Sequence, residues 1–362
     1  MIKKSMALLL AALMLCTALC SCARREEKSP SAGTLSVWCT ADAPVTAALA
    51  ELINEYNALP GQSMPVSLKV FPSELAMAEA FNSLRPDLLL CSHDRATSLG
   101  LSGLLSGVPG LGEKIAATVN EGFSSFSAGS FIPLGGEVPL MVCAPGVSFA
   151  PVTLSELADA AADHSGTFMA VSSWADIFAA ASCASGDEFR CQLEKDAESD
   201  GFSELYNLFA ELAYTRKLRF SGRSAELAAE GKVQYAVVSS CELGELELDG
   251  CTVCAMPDMY GEASQFMSSV WGFAVTAPSG QSAAPAAAFI DWLLEGSRLG
   301  DMALRCGLIP ASVCTVRSTP LYAALFSIYR GSRLYMVPGG SPYFTLRHDF
   351  DSEVSAALAR LY

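Results

Sequence analysis

Only 17% of the 362 residues are charged, and the charge leans one way: 23 lysines and arginines against 38 aspartates and glutamates, a formal net of −15. No basic stripe of five to eight residues interrupts that acidity. Such a surface repels a phosphate backbone, so nucleic-acid binding is excluded as a function class. Histidine is scarce, with three in the chain, His93, His164 and His348. Neither H-E-x-x-H nor G-x-S-x-G occurs, so the common zinc- and serine-hydrolase signatures are missing. Beyond the extreme N-terminus no run of 18 apolar residues is found, and no transmembrane helix is expected in the body of the chain. Disorder is excluded by the opposite measure, because 51% of the residues are hydrophobic. The length suits about two domains, each with its own core.

The first thirty residues carry an address. Met1–Ser5 holds two lysines and Met6–Leu19 is almost wholly apolar, the layout of a secretory signal and short for a spanning helix. Leu19-Cys20-Ser21-Cys22 resembles a bacterial lipobox, with small Ser21 ahead of Cys22, whereas Cys20 would put Leu19 at the cleavage position. The sequence therefore predicts a signal peptide and lipobox over 1–22, lipidation at Cys22, and a polar tether over 23–33. Several acyl chains, at about 0.8 kcal/mol per buried CH₂, would hold the protein at a membrane surface outside the cytoplasm, extracellular or periplasmic. The alternative is an ordinary cleaved signal with incidental cysteines.

Thirteen cysteines in an exported chain suggest disulfides. Cys39, Cys91, Cys143 and Cys241 nevertheless sit in apolar, strand-like runs, where free cysteine behaves as a small hydrophobe. Cys251 and Cys254 have C-x-x-C spacing, but neither a second pair nor a histidine follows at zinc-site spacing. We expect no metal and no cofactor.

Leu35, Val37 and Cys39 alternate with polar neighbours, a strand pattern, and Asp42 with Pro44 opens a helix bearing Leu49, Leu52, Ile53 and Tyr56 on one face. Val66, Leu68 and Val70 form a second strand, Ser73 caps a helix to about Leu84, and Asp87–Cys91 reads as a strand buried on both faces. This strand–helix alternation means a parallel sheet, with a ligand crevice beyond the carboxyl ends of its strands, at Cys39–Asp42 and Ser92–Arg95. A second set of elements follows Pro133-Leu-Gly-Gly-Glu137: a capping box at Thr153 and Glu156, a helix over Phe202–Thr215, a strand over Val233–Val238, a helix with Pro285 in its first turn, and a closing helix over Asp351–Tyr362.

These residues resemble the extracellular solute-binding proteins of ABC importers, in particular the maltose-binding branch. Trp38-Cys-Thr-Ala-Asp42 looks like that branch's Trp-Ile-Asn-Gly-Asp, and Arg85-Pro-Asp-Leu-Leu-Leu-Cys-Ser-His-Asp-Arg95 looks like its Gly-Pro-Asp-Ile-Ile-Phe-Trp-Ala-His-Asp-Arg. Pro133 with Glu137 resembles its lobe-crossing strand; Glu230–Ser240, Trp271–Val275 and Gly307–Pro310 also fit. The resemblance implies an α/β, two-lobed periplasmic-binding-protein type II fold, with a mixed, mostly parallel sheet and flanking helices in each lobe. It places the N-terminal lobe at 34–135 plus 272–316, the C-terminal lobe at 136–271 plus 317–362, and the ligand cleft between them. Gly135-Gly136 at a crossing suits a hinge.

The same resemblance implies a monomeric, non-enzymatic receptor with no catalytic residues. It would deliver a small polar solute, a carbohydrate, to the transmembrane subunits of an ABC permease. Asp42, Asp94, Arg95 and Glu137 would orient that solute, with Trp174 and Tyr343 as stacking platforms, while Trp271 and Trp292 belong to the core and His93 supports rather than binds. Cys91 and Cys241 stand where the family has stacking tryptophans and Ala43 where it has a lysine, which argues against maltose itself and for a smaller sugar or another polar solute. Two other classes compete: a secreted glycoside hydrolase using Asp42, Asp94 and Glu137, and a thiol-based metal or redox lipoprotein.

Overall fold

Apolar runs separated by turns become two mixed sheets in the computed structural model. It describes residues 33–336 apart from 42–44, 62–63, 109, 121–122, 124–128, 174–175, 181–199, 245, 247, 258–264, 268, 277–282, 316–319 and 332–333. In chain order the strands are β1 (Leu35–Thr40), β2 (Val66–Phe71), β3 (Leu88–Ser92), β4 (Phe131–Glu137), β5 (Pro139–Cys143), β6 (Met169–Val171), β7 (Leu218–Phe220), β8 (Tyr235–Ser239), β9 (Thr252–Ala255), β10 (Gln265–Met267), β11 (Ser269–Val275), β12 (Ile309–Pro310) and β13 (Leu334–Met336). The helices are α1 (Thr46–Asn57), α2 (Glu74–Phe81), α3 (His93–Leu101), α4 (Leu111–Thr118), α5 (Leu154–Asp163), α6 (Asp200–Tyr214), α7 (Ser224–Ala229), α8 (Ala283–Leu294), α9 (Arg298–Arg305) and α10 (Pro320–Gly331).

The first sheet has the order β12-β4-β11-β3-β1-β2 and the second β7-β6-β8-β5-β9, while β10 and β13 pair alone. In the first sheet β1, β2 and β3 run parallel, and β11 lies antiparallel between β3 and β4. In the second, β6, β7 and β8 are parallel and β5 is antiparallel between β8 and β9. The expected mixed, mostly parallel character holds where the chain alternates strand and helix. It yields to antiparallel pairing where the chain crosses between the sheets.

Local chemistry explains most of the elements. Alternation in β1 suggests a half-buried strand, yet all six residues are buried because β1 lies between β2 and β3. Its polar Ser36 is satisfied by Asp87, whose Oδ2 accepts from the Ser36 N–H at 2.8 Å and from the Ser36 hydroxyl at 3.0 Å. Asp87 thus ties β1 to the start of β3. Ser73 caps α2 by accepting from the Ala76 N–H, and Thr153 with Glu156 forms the expected reciprocal capping box on α5. Helix α1 begins at Thr46 with Val45 at its N-cap position and no side-chain cap, so Asp42 stands ahead of the helix and outside the described residues. The closing helix expected over Asp351–Tyr362 is outside them as well.

Strand alternation splits the second sheet between two cores. Leu140, Val142, Ala236, Val238 and Val253 join the large core that also fills the first sheet. Met141, Cys143, Met169, Val171 and Val237 face the other way, onto Leu154, Leu157 and Phe209. None of the eight described cysteines is in a disulfide; Cys39, Cys91 and Cys143 are buried as expected, whereas Cys241 is half-buried on the Ser240–Leu243 turn after β8 rather than in a strand. Burial pushes the Cys91 thiol up to about 12, against the neighbouring Arg95 charge, which pulls it down. The C-x-x-C pair cannot act together: Cys251 joins the large core while Cys254 packs on the smaller one.

Candidate functional site

The carboxyl ends of both sheets' parallel strands meet at one crossing. In the first sheet Trp271 pairs with Ser92 on one side and with Gly135 on the other. Both neighbours run antiparallel to β11, so Glu137, the last residue of β4 and opposite Ser269, and Asp94, just past the end of β3, lie at the same edge. In the second sheet β6 pairs β8 in parallel with Val171 opposite Val237, so Ser172 and Ser239 emerge together. The chain enters that sheet at Pro139, directly opposite Ser239. Glu137-Val138-Pro139 therefore lies where the two edges come together.

On the first wall, β3 ends at Ser92, whose hydroxyl caps α3 by accepting from the Arg95 N–H. Asp94 falls in the first helical turn, where a carboxylate complements the helix dipole. Arg95 Nε is buried without a hydrogen-bond partner among the described residues. A buried donor left unpaired costs about 1–3 kcal/mol, so an acceptor there would be bound strongly. His93 is buried, and its Nδ1 accepts from the Val270 N–H at 3.0 Å. That bond fixes the ring with Nδ1 unprotonated and ties the start of α3 to β11, the supporting role expected of it. Glu74, in the first turn of α2, adds slightly to the upward push on the Cys91 thiol.

The second wall carries serines and acids. Ser172 donates to Glu242 Oε2 at 2.7 Å, and the Ser239 N–H donates to Glu242 Oε1 at 3.2 Å. Ser173 donates to Asp176 Oδ2 at 2.7 Å, and Asp176 is buried. Burial raises the Glu242 pKa above the usual glutamate range; the Ser172 bond opposes this and the nearby Asp176 and Glu137 charges add to it. These groups were not singled out from the sequence. The Ser239-x-x-Glu242 capping box on the Ser240–Leu243 turn was the available signal.

Glu137 joins the two walls. Its Oε1 accepts from the Ser239 hydroxyl at 2.8 Å and its Oε2 from Trp271 Nε1–H at 3.2 Å. Trp271 is half-buried and packs against the large core, with its indole N–H turned to Glu137, and Trp292 is buried against Tyr56 and Phe289, both as expected. Gly135 also has a different reason to be glycine. Its φ is ordinary, and a Cβ there would stand 2.7 Å from the Ile309 carbonyl oxygen and 2.9 Å from Leu308 Cβ. It lets β12 approach β4. Of the other expected site residues, Asp42, Trp174, Tyr343 and Cys22 lie outside the described residues.

No known family profile matches the chain, and no curated protein does. Solved structures do match. The cyclic α-maltosyl-1,6-maltose binding protein of Arthrobacter globiformis is 17% identical, with 90% of this chain and 93% of that chain covered, at a TM-score of 0.64. The GacH receptor of Streptomyces glaucescens, solved unliganded and with acarbose, is 15% identical over 91% and 94% of the two chains, at 0.70. A mannotriose-bound protein, CpMnBP1, is 15% identical over 91% and 96%, at 0.66. The chain has their two-lobed α/β fold.

Proposed function

We propose that the protein is a non-enzymatic receptor that captures a small carbohydrate outside the cytoplasm and hands it to an ABC permease. The observation that carries this reading is the convergence of both sheets' carboxyl edges on one crossing, in a fold whose solved examples include a maltosyl-maltose binding protein, a receptor in complex with acarbose and a protein with mannotriose bound. A cleft of this kind needs polar groups to orient a polyhydroxyl ligand, not a reaction. Asp94 and Arg95 offer an acceptor and a donor from the first wall, and the orphaned Arg95 Nε supports a waiting acceptor. Asp42, Trp174 and Tyr343 complete the contacts, and Glu137 stands where the walls meet. The hydrolase alternative loses its most central acid, because both Glu137 oxygens already accept from Ser239 and Trp271.

In this reading the lobe bounds shift by a few residues from those expected, because Gly135–Glu137 pair with Ser269–Trp271 inside the first sheet: the first lobe spans 34–137 and 269–316, the second 139–267 and 317–362. The protein acts as a monomer, tethered through 23–33 by lipid on Cys22. Calorimetric titration of the chain lacking residues 1–22 against glucose, mannose, maltotriose, mannotriose and acarbose tests the receptor. Saturable binding without turnover of the oligosaccharides supports it, and cleavage of any of them overturns it. Mass spectrometry of the mature N-terminus tests the anchor, which an unlipidated first residue at Ala23 or later would remove.

A further inference from the structure

Glu137 touches three strands that belong to different bodies. It ends β4; Trp271 sits on β11 of the first sheet; Ser239 ends β8 of the second. The next residue, Val138, is the link between the sheets. It is gripped by Ser240, whose hydroxyl accepts from the Val138 N–H at 3.2 Å and whose own N–H donates to the Val138 carbonyl at 2.8 Å. A rotation of one lobe against the other turns the backbone at this link. Ser239 then moves with the second sheet and Trp271 with the first. One carboxylate holds both donors, so both bonds survive only over a narrow range of lobe angles. Hydrogen bonds to an ionised acceptor are stronger than neutral ones, and this pair is partly buried.

We propose that Glu137 is a positioning residue of the hinge, a latch that sets the angle between the lobes by holding Ser239 of one and Trp271 of the other. This deepens the receptor reading and rests on it for any effect on affinity. The latch acts on the cleft through its geometry. Loosening it lowers the affinity for every solute alike and leaves the ranking among solutes unchanged, because the contacts that discriminate them are elsewhere.

The decisive variant is Trp271→Phe, which deletes the indole N–H, keeps an aromatic ring and leaves the Glu137 carboxylate in place. Hydrogen exchange of the unliganded protein, read by mass spectrometry, should speed up in peptides spanning 137–143 and 265–272, with the melting temperature little changed. Titration with mannotriose, maltotriose and acarbose should show a common loss of about threefold to tenfold. Glu137→Ala should cost as much as the Glu137→Ala, Trp271→Phe double variant, since either change opens the same link. Glu137→Gln should be milder, because an amide can still accept from the indole while donating to the Ser239 hydroxyl. If Trp271→Phe alters neither exchange nor affinity while Glu137→Ala abolishes binding, Glu137 contacts solute directly and the latch is wrong. If none of the three sugars binds the unaltered protein, the receptor reading loses its ligand class, yet the exchange comparison still decides the latch.

Discussion

The two walls of the cleft are built from the same kind of strand end but carry different chemistry. The first presents a helix start with mixed charges, Asp94 and Arg95, beside His93, which is hydrogen-bonded to β11. The second presents Glu242, which accepts from the Ser172 hydroxyl and the Ser239 N–H, and Asp176, which accepts from the Ser173 hydroxyl. A hydroxyl-rich solute needs donors and acceptors from both sides. The first wall can supply strong, charge-assisted contacts. The second has spent much of its capacity on its own network. Binding energy should accordingly be concentrated on the first wall, and the second should act more through shape and through the hinge.

The seam between the walls offers the largest perturbation. Gly307 follows α9 with φ +71°, and a Cβ there would run into the Ser240 carbonyl oxygen of the second sheet. Gly307→Ala meets both penalties, with the left-handed backbone alone costing about 1–3 kcal/mol. We expect the melting temperature to fall by roughly 5 °C or more. An unchanged melting temperature would mean that the lobes do not pack tightly at this point.

Contrasting the walls directly comes next. Arg95→Ala should weaken sugar binding tenfold or more, since a charge-assisted hydrogen bond is worth about 1.5–3 kcal/mol. Its unliganded melting temperature should hardly move, because the orphaned Nε leaves with the side chain. Ser172→Ala should cost about fivefold or less, the scale of a neutral hydrogen bond. Equal losses in the two variants, measured by calorimetry, would erase the proposed difference between the walls.

The smallest expected effect has the opposite sign. Glu242 has a raised pKa in the folded state, caused first by burial. A carboxyl raised on folding destabilises the protein while ionised, and this penalty fades as pH falls through its folded pKa towards the ordinary glutamate value of about 4.3. Glu242→Gln can keep both hydrogen bonds, its oxygen accepting from the Ser239 N–H and its amide donating to Ser172. The variant should melt slightly higher than the parent at pH 7, and the gap should close on acidification. A gap that widens towards acid would mean that the carboxylate is stabilised in the fold.

How much could be read from the sequence follows the same division. The first sheet was legible because its signals are local: the unbroken Leu88–Cys91 run, the Ser73 cap, and the apolar face Leu49, Ile53 and Tyr56. Asp94 and Arg95 stand out in the sequence because they directly follow a buried strand. On the second wall the capping box at Thr153 was visible, but Ser172, Asp176 and Glu242 were not. Serines and acids are ordinary loop residues until a fold brings their segments together, and Ser172 and Glu242 are 70 positions apart. The role of Trp271 was missed for a related reason. An apolar strand suggests core, and only the crossing of Glu137 beside it gives the indole a partner. Gly135 illustrates the converse, since a glycine expected for its freedom is required for its small size.

The central claim is that two lobes, joined at Glu137–Pro139, close on a carbohydrate held chiefly by the first wall. Closure draws the lobes together, so a solute that touches both binds the closed form preferentially and shifts the population towards it. Small-angle scattering of the soluble chain, with and without saturating amounts of the tightest-binding sugar in the panel, measures this most directly. The account predicts a smaller radius of gyration on saturation in the parent protein and little contraction in Arg95→Ala at the same sugar concentration. An unchanged radius at demonstrated saturation of the parent would contradict it.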